Sequence, residues 1–537
     1  MKSIHDFLFL IPIRMQILFH QHYYKRFIGM DNLNWFIIIS MKQKAFLLLP
    51  ILLLSSCDSS QVAMVTSFLS PYYIPKSNNR VCIKDEEIIS PFNTSINTSL
   101  YHYVSDYSND TLNSIRDEIN FKLEYFHALS DRHYSYTLDG KDILNVKAIN
   151  DSYGKNKSLV VDDFLYHLLK ESYQFTLHSQ GRYNMFLGSL NDIYEEKFAK
   201  LDNQQSMKEK VFQDMAHLHF ASFSEEEKKA IDEVIKNTPI SQSELEQSLT
   251  FDDEKKSVTF HEITRDGIPL KNVQISLGGN AKGFATEKIT NDLKKEYPGI
   301  SLVMNSGTSS IKALGTRPDK KDWILRYINP AYQEYLDSES NPYNDYEFTI
   351  SYPGQFNLST SGNYENYFYE IQGKKMVKNS HILDATTGYS NNYFDQVSVF
   401  LNDAGLADMY TTALMNTSSI EEASLLFDSL NQIYQQHDAE MILSYKEYQG
   451  EYFSYSLDCY QPLSSFDLPI AVLKDGSEYA NDYQSLNLSD IVSYKTNLAC
   501  PFKQVYCLTS ELYQKASLIT DKLKKPDNVI SLLREIK

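Results

Sequence analysis

Alternation opens the informative part of the chain: in TSINTSLYHYV, from Thr94, apolar and polar side chains take turns, which predicts a half-buried strand. The next segment, SNDTLNSIRDEINFKLEYFHALS, changes period. Leu112, Ile115, Ile119, Leu123 and Phe126 fall on one stripe at helical spacing, with Asp110 as the expected N-cap, so this segment reads as a core-facing helix. A second helix is predicted over 162–176, ending near Gly181. Residues 195–250 read as charged and helical, with Ser224-Glu225-Glu226-Glu227 as a cap signature. Strands are then expected at 255–263, 273–277, 302–304, 323–328, 348–351 and 395–401, followed by helices at 404–414 and 420–434. Beyond about Pro462 the pattern weakens, and two amphipathic helices are predicted at 510–524 and 527–536. No internal repeat is visible.

At 537 residues and 42% hydrophobic composition, the chain can bury a large core. A formal net charge of −18, without any run of five or more Lys and Arg, excludes a nucleic-acid partner, which calls for a basic face.

The N-terminus carries a second kind of pattern. In MKQKAFLLLPILLLSSC, Met41, Lys42 and Lys44 make a charged start, an apolar run follows, and Leu54-Ser55-Ser56-Cys57 ends it with small residues before a cysteine. The run is shorter than the ~20 residues that span a bilayer. It reads as a lipoprotein signal over 41–57, with Cys57 acylated and the chain anchored to the outer face of a bacterial cell membrane. Residues 1–40 then read as an upstream mis-start and 58–88 as a polar tether. Cys82, Cys459, Cys500 and Cys507 remain, an even number that permits pairing in an exported protein. Cys500 and Cys507 are near in sequence, and four reduced thiols are the alternative.

Four clusters carry the candidate chemistry. The first, SLGGNAKGFATEKI at 276–289, feeds a glycine-rich turn into a helix, a ready anion site and equally a common ligand-free turn. It fits neither the P-loop nor the dinucleotide fingerprint. The others are MNSGTSSIKALGTRP at 304–318, STSGNYENYF with NSHILDATTGYS at 359–390, and AGLADMYTTALM at 404–415. Each has a plain reading: His381 as a core or strand-edge histidine, Asp384 to Gly388 as a turn, and Thr412 bonded back to the preceding helical turn. Asp408 and Thr412, at i and i+4, share one helical face.

Together, in this order, the clusters resemble the ApbE flavin transferases, which attach FMN from FAD to proteins. Their usual phrases run close to DLGGIAKGYA, NIGGDIRALG, ATSGDY, SHIIDPRTG and LADALATAL. Phe92-Asn93-Thr94, Ser130-Asp131-Arg132 and Gly181-Arg182-Tyr183-Asn184 extend the likeness upstream. The resemblance implies an α+β fold of mixed and antiparallel sheets packed with helices, a single large catalytic domain over 89–462 with a C-terminal extension at 463–537. It implies Mg2+ held by the Ala281 carbonyl, Asp408 and Thr412, all oxygen donors suited to a hard cation. It implies FAD as substrate, lying along Gly278, Gly279, Lys282, Gly283, Ser361 and Gly362. Lys282 either faces the phosphates or pairs with a structural carboxylate. His381 corresponds to the base that activates an acceptor hydroxyl, and Asp384 to the acid that orients or charge-stabilises it. The partner implied is an acceptor flavoprotein of a membrane or exported redox system, whose threonine receives FMN as AMP departs.

Departures from the family phrases are specific. Ser276 stands for an acid, Asn280 for an aliphatic residue, Thr308-Ser309 for the second glycine and the acid of GGD, Asn93 for a glycine, and Asn184 for an acid. Two other functions therefore stay open beside the transferase: an FAD pyrophosphatase yielding FMN and AMP, and a flavin-binding lipoprotein without turnover.

Overall fold

In the computed structural model, the described residues are 64–69, 81–83, 86–87, 91–201, 221–334 except Thr308, 345–372, 375–448, and segments at 465–467, 470–479, 491–495, 502–509, 514–517 and 523–524. The signal sequence with Cys57, the mis-start, Cys459, Cys500 and the helix expected at 527–536 lie outside them.

A nine-stranded sheet organises the molecule. Its strands are β1 (Met64–Phe68), β2 (Ile96–Tyr103), β3 (Leu302–Ser306), β4 (Ser310–Leu314), β5 (Phe356–Gly362), β6 (Gln396–Leu401), β7 (Glu440–Tyr448), β8 (Phe502–Leu508) and β9 (Leu523–Lys524). They lie side by side in chain order. Every pairing is antiparallel except the last, β8 with β9. This sheet has two buried faces. Leu302, Met304, Val397 and Val399 project into a large helical core, while Ala313, Phe356, Phe400 and Ile442 meet a second layer built on strands Trp323–Ile328 and Tyr346–Tyr352. The result is the α+β architecture expected, with helices on one face of the main sheet and a small antiparallel sheet on the other.

Seven helices carry the apolar stripes read from the sequence: α1 (Asn109–Ser130), α2 (Asp163–His178), α3 (Gly188–Leu201), α4 (Glu225–Asn237), α5 (Ala281–Glu296), α6 (Ala404–Met415) and α7 (Ile420–Tyr434). Ile115, Ile119, Leu123 and Phe126 of α1 are buried as their spacing demands, each contributing about 1.5–3 kcal/mol by removal from water. Phe126 stacks on Phe164 of α2 at 3.8 Å between centroids. A satellite core of Leu190, Tyr194, Phe223, Ile231, Phe368 and Leu383 lies under α3 and α4.

Several expectations change. Ser108, not Asp110, caps α1: its backbone is extended and its hydroxyl accepts from Thr111 N–H, leaving Asp110 in the first turn where the helix dipole favours an acid. Residues 273–277 do not form a ladder strand. The Asn150 side chain takes both the N–H and the C=O of Ile275, Met185 O takes Ser276 N–H, and a single bridge links Leu187 to Gln274. Within 510–524 the described residues include strands Ala516–Ser517 and Leu523–Lys524 rather than one amphipathic helix, because both pair with sheet strands whose edges would otherwise be open. The hairpin Tyr367–Gln372 with Lys375–Ser380 was not foreseen. Two further segments join the main sheet: Met64–Phe68, from the stretch read as tether, pairs with β2, and β8, from the expected extension, pairs with β7.

Candidate functional site

The glycine turn meets α6 where α5 begins. Ala281 is buried at the first position of α5, and the N–H of Gly283 donates to Asp408 Oδ2 at 2.8 Å. Gly283 is obligatory for a steric reason: an added Cβ would overlap the Ala404 carbonyl oxygen and sit 2.6 Å from Asp408 Oδ2. Gly279 is bracketed by Tyr183 and Thr412, its hypothetical Cβ lying 3.5 Å from Thr412 Oγ1. Gly278 has room around it, with Ser276 Oγ nearest at 3.9 Å. Helical spacing thus sets Asp408 and Thr412 against opposite ends of one turn.

Asp408 is almost fully buried, and burial pushes its carboxyl up to about 6. The hydroxyl of Ser359, the Lys282 ammonium and the Gly283 N–H oppose that rise, while Asp403 adds to it. Ser359 Oγ donates to Asp408 Oδ1 at 2.5 Å. Thr412 Oγ1 donates to the Asp408 carbonyl at 3.0 Å, as the bland reading of that threonine supposed, and the same bond leaves both hydroxyl lone pairs for another partner. Ser361 on β5 donates to Thr411 Oγ1 at 2.9 Å, and Gly362 beside it has no room for a side chain because the Tyr364 ring occupies that space. Ser359 and Thr411 were missed in the sequence. Their signal is two periods meeting: 359 and 361 share one face of a strand, 408 and 411 one face of a helix.

These residues fit a divalent cation. A buried carboxylate held by two donors keeps lone pairs on both oxygens, a neutral hydroxyl lies a turn away, and the turn carrying Ala281 touches both side chains.

His381 feels the charge of Lys282. Surrounding protein lowers its pKa below the ordinary imidazole value, with Lys282 acting in the same direction, while Glu365 and the Asn366 carbonyl oppose it. Solvent nevertheless reaches the ring. Its Nδ1 faces Asn366 O at 3.4 Å, and its backbone N–H donates to the same oxygen. Asp384 is committed elsewhere: Oδ1 accepts from the N–H and hydroxyl of Thr386, and Oδ2 faces Arg182 at 3.9 Å. Glu365 is the carboxylate whose charge raises the His381 pKa, while Asp384 is bonded within its own turn. That turn is fastened to the end of α6 by Asn416, whose amide donates to both Arg182 O and Leu383 O.

Among the departures from the family phrases, Asn93, Asn184, Ser276 and Ser309 have local structural partners or geometry, and Thr308 lies outside the described residues. Asn93 sits at φ 52, a region asparagine tolerates. Asn184 donates to Pro239 O, Ser276 Oγ accepts from Asn191, and Ser309 O accepts from Thr360 N–H. A second group with metal-ligand spacing, His133, Asp192 and Glu195, is already bonded by Arg132, which reaches the two carboxylates at 2.6 and 2.9 Å.

Over 165 residues the chain is 29% identical to the FAD:protein FMN transferase of Vibrio cholerae serotype O1, an alignment spanning 30% of this chain and 44% of that relative. Among solved structures, the ApbE protein of Thermotoga maritima matches with 20% identity and a TM-score of 0.46, covering 66% of this chain and 92% of that one. The flavin transferase ApbE from Vibrio cholerae matches with 16% identity and a TM-score of 0.46, covering 71% and 94%. The ApbE family model matches residues 96–434, and this chain belongs to that family.

Proposed function

We propose that this chain is an FAD:protein FMN transferase that uses Mg2+ held by the Ala281 carbonyl, Asp408 and Thr412. The observation that carries the reading is the convergence of the glycine turn, a buried carboxylate and a lysine on one locus, with a histidine whose pKa that lysine helps to lower. A bound divalent cation would supply neutralisation of the charge on pyrophosphate oxygens. Lys282 adds a second positive charge there. Gly278 and Gly279 let the backbone approach the phosphates, and Ser361 and Gly362 face the flavin side. His381, neutral at pH 7, accepts the proton of an acceptor threonine hydroxyl. That oxygen forms a bond to the FMN phosphorus, the bridging P–O bond breaks, and AMP leaves with the electron pair.

The same reading places the chain at the outer face of a bacterial membrane through a lipid on Cys57. Its protein partner is a flavoprotein acceptor there. The test of turnover is incubation of the full chain with FAD, with Mg2+ or a chelator and with or without a threonine-bearing acceptor protein, and chromatography of the nucleotides. AMP release that requires both Mg2+ and the acceptor supports the reading; release of AMP with free FMN whether or not the acceptor is present makes the chain a pyrophosphatase, and FAD held unchanged under all conditions makes it a flavin binder.

A further inference from the structure

Asn280 stands where its relatives' phrase has an aliphatic residue, and it is fully buried. It occupies the N-cap position of α5, for which asparagine is among the best residues, yet its side chain makes no capping bond. The amide turns inward instead. Tyr183 OH donates to Asn280 Oδ1 at 3.0 Å, Asn280 Nδ2 donates to Ser172 Oγ at 2.7 Å, and Ser172 donates to Leu168 O at 2.6 Å. Ser172 and Tyr183 are buried as well, so the relay runs one way, from the Tyr183 hydroxyl through the Asn280 amide and the Ser172 hydroxyl to the Leu168 carbonyl.

We infer that Asn280 is a positioning residue for the metal-binding turn, tying it through Tyr183 and Ser172 to α2 so that Ala281 and Gly279 are presented to Asp408 and Thr412. Two contacts carry this beyond ordinary core packing. Asn280 is itself the residue before the Ala281 ligand position, and the ring of Tyr183, whose hydroxyl donates to it, lies against Gly279, 3.3 Å from where a Cβ would be, on the residue that also meets Thr412. An inward amide also leaves the first N–H groups of α5 without a side-chain cap, and one of them, Gly283 N–H, is the donor to Asp408. An aliphatic residue would fill the volume without fixing the turn's rotation.

The inference rests on the metal reading above, so its test separates the two. Mg2+ titrations of the full chain with FAD, followed by FAD fluorescence anisotropy, are run on the parent, Asp408→Ala, Asn280→Leu, Tyr183→Phe and the Asn280→Leu/Tyr183→Phe pair, alongside thermal melts without Mg2+. Outer-shell partners of a metal site are worth roughly 10–100-fold in affinity, so Asn280→Leu is expected to raise half-saturating Mg2+ by about that factor. It also strands the Tyr183 hydroxyl, lowering the melting temperature. The double variant removes that stranded group and is expected to recover melting temperature while keeping the weakened Mg2+ response. Should Asn280→Leu not fold, Tyr183→Phe alone is expected to weaken Mg2+ in the same direction. Recovery of both quantities together in the double variant, or an unchanged Mg2+ titration in Asn280→Leu while Asp408→Ala has lost its own, overturns the positioning role alone. Mg2+ titration of Asp408→Ala identical to the parent overturns the metal reading and this inference with it.

Discussion

Gly283 and Asp408 are joined by a 2.8 Å hydrogen bond from backbone N–H to carboxylate, with no space between them for one more carbon. That contact sets the distance between α5 and α6, and so the distance between the glycine turn and the candidate metal ligands. Gly283→Ala is expected to lose about 1–3 kcal/mol of stability through overpacking, together with FAD turnover. Gly278→Ala, with open space around it, should melt like the parent. A melting curve for each variant checks both, and equal melting of the two would mean the helices are not held this closely.

Asp408 and Thr412 differ in what they offer a cation, a charge against a neutral oxygen. Asp408→Ala should abolish Mg2+-supported turnover, and Thr412→Val should weaken it less. Because burial raises the Asp408 pKa, its ionised form destabilises the fold at neutral pH relative to its protonated form, and a cation removes that cost. Mg2+ with FAD should therefore raise the parent's melting temperature at pH 7 and leave Asp408→Ala unmoved. Calorimetry with and without a chelator reads this directly.

His381 has a lowered pKa, and in the proposed mechanism it accepts a proton in its neutral form, so activity should rise with pH through one ionisation below the ordinary imidazole value and stay level above it. Removing Glu365, whose charge raises that pKa, should move the limb to lower pH in Glu365→Gln. Asp384→Asn should leave the limb in place, since its carboxylate serves Thr386 and Arg182. His381→Ala should still bind FAD and lose roughly 10²–10⁴-fold in rate. Profiles at saturating Mg2+ distinguish these cases; a limb that persists in His381→Ala assigns the base elsewhere.

Cys57→Ser should abolish lipid labelling and shift the chain out of the membrane fraction. Labelling and fractionation that stay unchanged would remove the anchor from the account.

Much of this was legible because period and chemistry coincide in short windows. The stripe of Ile115, Ile119, Leu123 and Phe126 is buried as read, and the i, i+4 spacing of Asp408 and Thr412 places both beside the glycine turn. Legibility failed where side chains replaced backbone partners. Asn150 binds both polar groups of Ile275, so an apolar run that looks like a strand has no ladder. It failed again where distant segments meet, since nothing near residue 516 announces pairing with Thr349 and Ile350. Within the site, Ser359 and Thr411 were invisible singly because a serine on a strand and a threonine on a helix have no chemistry until Asp408 lies between them. Glu365 carries no motif of its own, and its effect on His381 follows only from the folded chain.

Transfer of FMN to protein is read from the intact mass of a threonine-bearing acceptor flavoprotein after incubation with this chain, FAD and Mg2+. The acceptor is expected to gain the mass of FMN less one water, with AMP released in equal amount and no mass gain when the acceptor threonine is replaced by valine. An acceptor of unchanged mass beside free FMN and AMP would contradict transfer and make the chain an FAD pyrophosphatase.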